Sequence, residues 1–277
     1  MAILVVLLLM PIGHIIMSFM TARYDLSTQM LGAGILGFIG FLLVILFNRS
    51  ENEIKSSLLG LLAGVLIWTG WVEFSFVYFA DRLAVQPLME GGEIVTRPEY
   101  LVMISSAGLV FTVLTTIILN YATNCNFFVW VQKILKTPRS GVKRKNYVAL
   151  TAYETVIILW FFYILLLISY DNHLFGDRHF VTYFIFFGSL LWSAFLFRNL
   201  YQLRHFGKAV RYAIPTVIIF WNCIEILGRW NYFQEFWVEP NKFWRESILI
   251  LLVFAILFVF SLFTNKKQKK LKLKLES

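Results

Sequence analysis

Residues 58–80 read LLGLLAGVLIWTGWVEFSFVYFA, 23 residues in which Glu73 is the sole charge. The hydrocarbon core of a bilayer takes about 20 mostly apolar helical residues to cross, so this stretch predicts a transmembrane helix. Comparable stretches recur at 1–20, 29–47, 101–121, 149–169, 181–199, 213–230 and 247–264, making eight. The chain as a whole agrees: of 277 residues 59% are hydrophobic and 15% charged, with mean hydropathy +0.71. A soluble domain carries about 45–50% apolar and about 25% charged residues. These numbers exclude a disordered chain, a collagen-like fibre and a disulfide-stapled module, and they make a nucleic-acid binder implausible despite the net charge of +9. The first stretch lacks a basic leader and is interrupted by Pro11 and His14, which argues against a cleaved signal peptide.

Basic residues orient the spans, because short cytoplasmic loops carry an excess of Lys and Arg. With both termini in the cytoplasm, 18 of the 25 lysines and arginines fall inside, including the 133–145 cluster and six lysines over Lys266–Lys274. Asp25, Asp81, Glu90, Asp171, Asp177 and Glu235 are among the acids that fall outside. The sequence therefore predicts an all-α, polytopic integral membrane helix bundle of eight transmembrane helices, N-in and C-in. It forms a single transmembrane domain over 1–264, followed by a cytoplasmic polybasic tail over 265–277. Localisation follows as a cytoplasmic (inner) membrane of bacterial type. The tail anchors topology and suits anionic lipid headgroups, each lysine near the leaflet gaining about 1 kcal/mol.

Ionisable groups inside a bilayer are costly and normally face the bundle interior or a water-filled cavity. Four lie within the spans: His14, Glu73, Glu154 and Glu225. Glu154 sits near the cytoplasmic interface, within reach of Arg144 or Lys145. His14, Glu73 and Glu225 share a depth in the outer half, and Arg229 lies one helical turn beyond Glu225, as an i,i+4 pair. Trp68, Trp71 and Trp221 are interleaved with them. The pattern predicts one Trp-lined polar cavity, with Glu73 as a proton carrier and Glu225 as the fixed ion-pair partner of Arg229. Trp68…Glu73 and Trp221…Glu225 also hint at two parallel four-span halves, as in some transporters.

Between spans five and six, Asp171, His173, Asp177 and His179 form two Asp-x-His units. Carboxylate and imidazole together suit Zn, Mn, Fe or Cu, so the loop is a candidate transition-metal site, although the same residues are ordinary turn formers. Met10, His14 and Met17 share a helix face that would suit Cu(I). Cys125 and Cys223 stand far apart and read as small buried thiols. There is no nucleotide-binding glycine loop, no HExxH or GxSxG, no paired intramembrane histidine for haem and no lysine in the last spans for a retinal. Three classes of function stand open. The first is transport or permeation of an ion, proton or small molecule. The second is a non-catalytic subunit of a larger membrane complex or homo-oligomer. The third is a membrane enzyme acting on a lipid-borne substrate at the outer face.

Overall fold

The computed structural model describes residues 1–47, 50, 52–90, 93–120, 126–135, 147–237 and 240–275, with the backbone alone at 90, 93–95, 115–120, 126 and 264–275. In chain order the helices are α1 (Ala2–Arg23), α2 (Leu26–Phe47) and α3 (Glu53–Ile67), a π-helical turn over Trp68–Glu73, and α4 (Phe74–Arg82). After them come α5 (Pro98–Ile104), α6 (Ala107–Asn120), α7 (Asn126–Ile134), α8 (Tyr147–Tyr170), α9 (Phe180–Tyr201), α10 (Phe206–Arg229) and α11 (Trp244–Leu275). The remaining regular structure is a hairpin of β1 (Leu88–Glu90) and β2 (Glu93–Thr96), antiparallel.

Among the described residues seven helices are long and apolar enough to cross a membrane: α1, α2, the continuous run Glu53–Arg82, α8, α9, α10 and the Trp244–Phe263 part of α11. This is the architecture of an integral membrane protein. Burial separates centre from rim: 72% of the spanning window is buried in both Glu53–Arg82 and α10, but only 17% in α2 and α11. Leu31 and Leu46 of α2, Phe184 and Leu191 of α9, and Leu252 and Ile256 of α11 are exposed. Such large apolar surfaces suit hydrocarbon and would aggregate in water. At the centre α3 lies along α8, where Gly60 and Gly64 form a Gly-xxx-Gly face. A Cβ on Gly60 would come within 2.7 Å of the Val148 carbonyl, and one on Gly64 within 2.8 Å of the Ala152 carbonyl. Small residues allow this backbone approach, which packs helices where no hydrophobic effect can.

Contacts sort the helix ends into two groups. At one end Arg211 donates to Glu53 (2.6 Å) and Ser57 (2.7 Å) and lies over the Tyr147 ring, so α3, α8 and α10 all start there. At the other, Arg229 pairs with Asp177, Arg178 reaches the Trp230 carbonyl and Arg23 reaches Asn241. The last turns of α1 and α10 therefore meet the 171–179 and 230–243 loops.

Over 101–121, where the sequence predicts a spanning helix, the described residues to 120 are broken in two. Two helices, α5 and α6, occupy it, interrupted at Ser105 and Ser106. Both hydroxyls bond carbonyls three residues back, Ser105 to Val102 and Ser106 to Met103, each at 2.6 Å. Such side chain–backbone bonds compete with the helical ladder, and Ala107-Gly108 follows directly. Ser106 Oγ then accepts from Trp160 Nε1 at 2.8 Å, midway along α8. Neither piece alone spans about 30 Å at 1.5 Å per residue.

Candidate functional site

His14 marks the centre of the site. It sits three residues past Pro11, which removes one rung of the α1 ladder. Its Nδ1 lies 3.8 Å from Glu73 Oε1 and its Nε2 lies 4.0 Å from Glu225 Oε1. The imidazole thus stands between two carboxyl groups delivered by α10 and the π turn. Nε2 also hydrogen-bonds the Tyr163 hydroxyl of α8. With Nδ1–H turned to Glu73, Nε2 accepts from Tyr163; the other tautomer reverses that bond.

The π turn explains how α3 supplies its part. On an α-helix, positions five apart point roughly 140° away from each other. The wider i→i+5 turn of a π-helix brings them toward one face, so Trp68, Thr69 and Glu73 all reach the same cavity. Two glycines make room for it. A Cβ on Gly70 would stand 2.5 Å from both the Ala33 carbonyl oxygen and the Gly37 nitrogen of α2, and a Cβ on Gly37 would overlap the Trp71 ring. On α10, where Pro215 removes one rung of the ladder, Trp221 Nε1 donates to Glu225 Oε1 one helical turn on, at 2.6 Å.

These groups line one cavity of about 350 Å³. Its lining from the spans includes Met10, Trp68, Tyr163 and Trp221; from the connecting segments come Thr96 at the end of β2, Arg97, Glu235 and Trp237. Trp68 stacks near Tyr163 (centroids 5.5 Å apart) and Trp221 near Trp237 (5.1 Å). Glu235, in the loop before α11, has its carboxyl raised above the usual glutamate value by burial, with Arg229 and Arg97 opposing. Its carboxyl lies against Gly228, so a Cβ added there would make the Glu235 side chain shift.

No family model, curated protein or solved structure matches this chain. The site has to be read from its own chemistry.

The structure gathers His14, Glu73, Glu225, Arg229, Trp68 and Trp221 around that cavity. Trp71 does not join them: it lies on the opposite side of the π turn, 42% exposed, against Phe41 and with its indole donating to the Gly34 carbonyl. A second correction concerns Arg229. Its Nε donates to both oxygens of Asp177, at 3.0 and 3.1 Å, so its ion-pair partner comes from the 171–179 loop and Glu225 is held by Trp221 instead.

That pairing takes up one of the four residues of the Asp-x-His loop. Asp171 accepts the His173 amide within a turn, His179 caps α9 by accepting the Val181 amide, and Asp177 is committed to Arg229. Among the described residues no group of three or more His, Cys, Asp or Glu could hold a metal ion. Met10 lines the cavity while Met17 packs with Ala33 and Phe74, so the α1 methionines do not converge with His14 on one ion. Glu154 is buried, and the partners expected for it, Arg144 and Lys145, lie outside the described residues, as does Cys125. Cys223 is buried against the Phe186 carbonyl.

Several lining groups carried no signal in the sequence. Tyr163 is one aromatic among many on α8, and Arg97, Tyr100 and Glu235 sit in segments that read as loop or loop edge. Thr69 escaped notice although it adjoins Trp68. Its hydroxyl is buried and has no hydrogen-bond partner among the described residues.

Proposed function

We propose that this chain is a transporter or permeation protein for a proton or small cation, with the His14–Glu73–Glu225 cluster as its binding station. The observation that supports it is one imidazole standing within 4.0 Å of two carboxyl groups from separate spans, inside a cavity lined also by loop residues. Intramembrane ionisable groups are expensive, and in pumps and transporters chains of Glu and His serve as proton relays. Here Glu73 is the proton or cation acceptor, His14 passes charge between the carboxyls, and Glu225 is steadied by Trp221.

The same proposal sets the cavity in the outer half of the bilayer and counts eight crossings with both termini inside. Its support is that the chain must return from the Arg229 end to the Arg211 end between 83 and 147, where α5 and α6 stand. Anionic headgroups are the proposed partner of the lysines of the tail, which follow the apolar part of α11.

The test is transient current from proteoliposomes on a solid support after jumps in proton, Na⁺, K⁺ or choline concentration. One of these jumps should give current above protein-free vesicles, and Glu73→Gln should cut it by roughly a hundredfold or more, the scale of a lost proton-transfer group. Wild-type current no larger than that of empty vesicles in all four jumps overturns the transport reading.

A further inference from the structure

The cavity has more chemistry than a proton path needs. Three carboxyl groups line it, Glu73, Glu225 and Glu235, against two guanidinium groups, Arg97 and Arg229. Arg229 is already engaged by Asp177, which leaves three carboxyl groups beside Arg97 to take up a positive guest. Its walls are aromatic on two sides: Trp68 with Tyr163, and Trp221 with Trp237. The negative faces of Trp and Tyr rings attract a cation electrostatically, most strongly where water is excluded.

An independent observation points to a ligand. Thr69, 2% exposed, and Tyr170 both line the cavity, and their buried hydroxyls have no hydrogen-bond partner among the described residues. Buried hydroxyls are almost always satisfied, and an exception in a cavity calls for a water or a guest. A bare metal ion is a poor fit, since no set of three acidic, His or Cys side chains among the described residues converges on one point. A volume of about 350 Å³ lies in the range of small-molecule pockets, about 300–1,000 Å³.

We infer that the cavity binds a small organic ammonium, its charged nitrogen held by Glu73 and Glu225 and its carbon groups against Trp68, Tyr163 and Trp221. This deepens the proposed function, and it rests on the same cavity being the working site. Thr69 and Tyr170 supply acceptors for N–H or hydroxyl groups on the guest. Arg97 lines the cavity from the loop side, so the anionic cluster is the nitrogen's site.

Binding is tested on the detergent-purified full chain, by thermal unfolding and tryptophan fluorescence. The probes are choline and ethanolammonium, with KCl at matched ionic strength and 3,3-dimethylbutan-1-ol, the uncharged isostere of choline, as controls. Saturable stabilisation and fluorescence change are expected with at least one ammonium and with neither control. Glu73→Gln and Trp68→Leu should each weaken it by roughly tenfold, the scale of one lost charge-assisted or cation–π contact. Equal responses to ammonium, alcohol and KCl in the wild type overturn the inference, and that comparison stands even if a variant fails to fold. Currents on a proton or alkali jump without ammonium binding would overturn this ligand class alone. Ammonium binding without current in any jump would overturn transport alone.

Discussion

Arg229 shows how a single side chain is assigned by its partner and not by its neighbours in sequence. Glu225 lies one turn before it on α10, the spacing of a helical ion pair. Yet Arg229 Nε reaches both oxygens of Asp177, while Glu225 takes the Trp221 indole. Arg229 and Asp177 side chains are 26% and 31% exposed, so solvent screens the pair in part. Asp177→Asn should therefore destabilise the protein by about 1–3 kcal/mol, the worth of hydrogen bonds to a charged group. Glu225→Gln should cost less, because a glutamine oxygen can still accept from Trp221 and Arg229 keeps its carboxylate. Unfolding of the two variants in the same detergent compares them directly. A larger loss in Glu225→Gln would mean that Arg229 depends on Glu225 after all.

At the scale of the element, the π turn over Trp68–Glu73 is what converts an apolar span into part of a site. It carries Trp68, Thr69 and Glu73 to one face and throws Trp71 to the other, where it meets α2. That geometry requires α2 to come close, and Gly70 permits it: a Cβ there would meet α2 backbone atoms at 2.5 Å. Backbone cannot step aside as a flexible side chain can. Gly70→Ala should cost about 1–3 kcal/mol as overpacking. It should also weaken ammonium binding, because separating α2 from the turn shifts Glu73. Thermal unfolding together with the choline titration reads both effects. Unchanged stability and binding would show that α2 and the turn are free to part.

For the whole molecule, the paired helix ends define two faces, and the loop charges support the proposal that the Arg211 end lies inside. A reporter fused after Ser140 or Ser277 should report from the cytoplasm, and one inserted at Gly91 from outside. The three positions test the return of the chain between 97 and 147, which α5 and α6 leave broken at Ser105–Ser106. Finding the 140 position outside would remove the eighth crossing and, with it, the inward placement of the basic 133–145 cluster.

Membrane class, the positions of seven helices and the rank of His14, Glu73 and Glu225 as costly groups were all legible in the sequence. Each is a local property: a run of apolar side chains long enough to cross, or a charge placed within one. Only the tertiary structure decided the partner of Arg229, the exclusion of Trp71, the split of 101–121 and the arrival of Tyr163, Arg97 and Glu235 at the cavity. Those depend on which helix faces meet, and hydropathy along a span apolar all round carries almost no facing information. A π turn adds to this by altering the helical phase that face assignments assume. Depth in the bilayer is written along the chain; the direction in which a side chain points is set by packing.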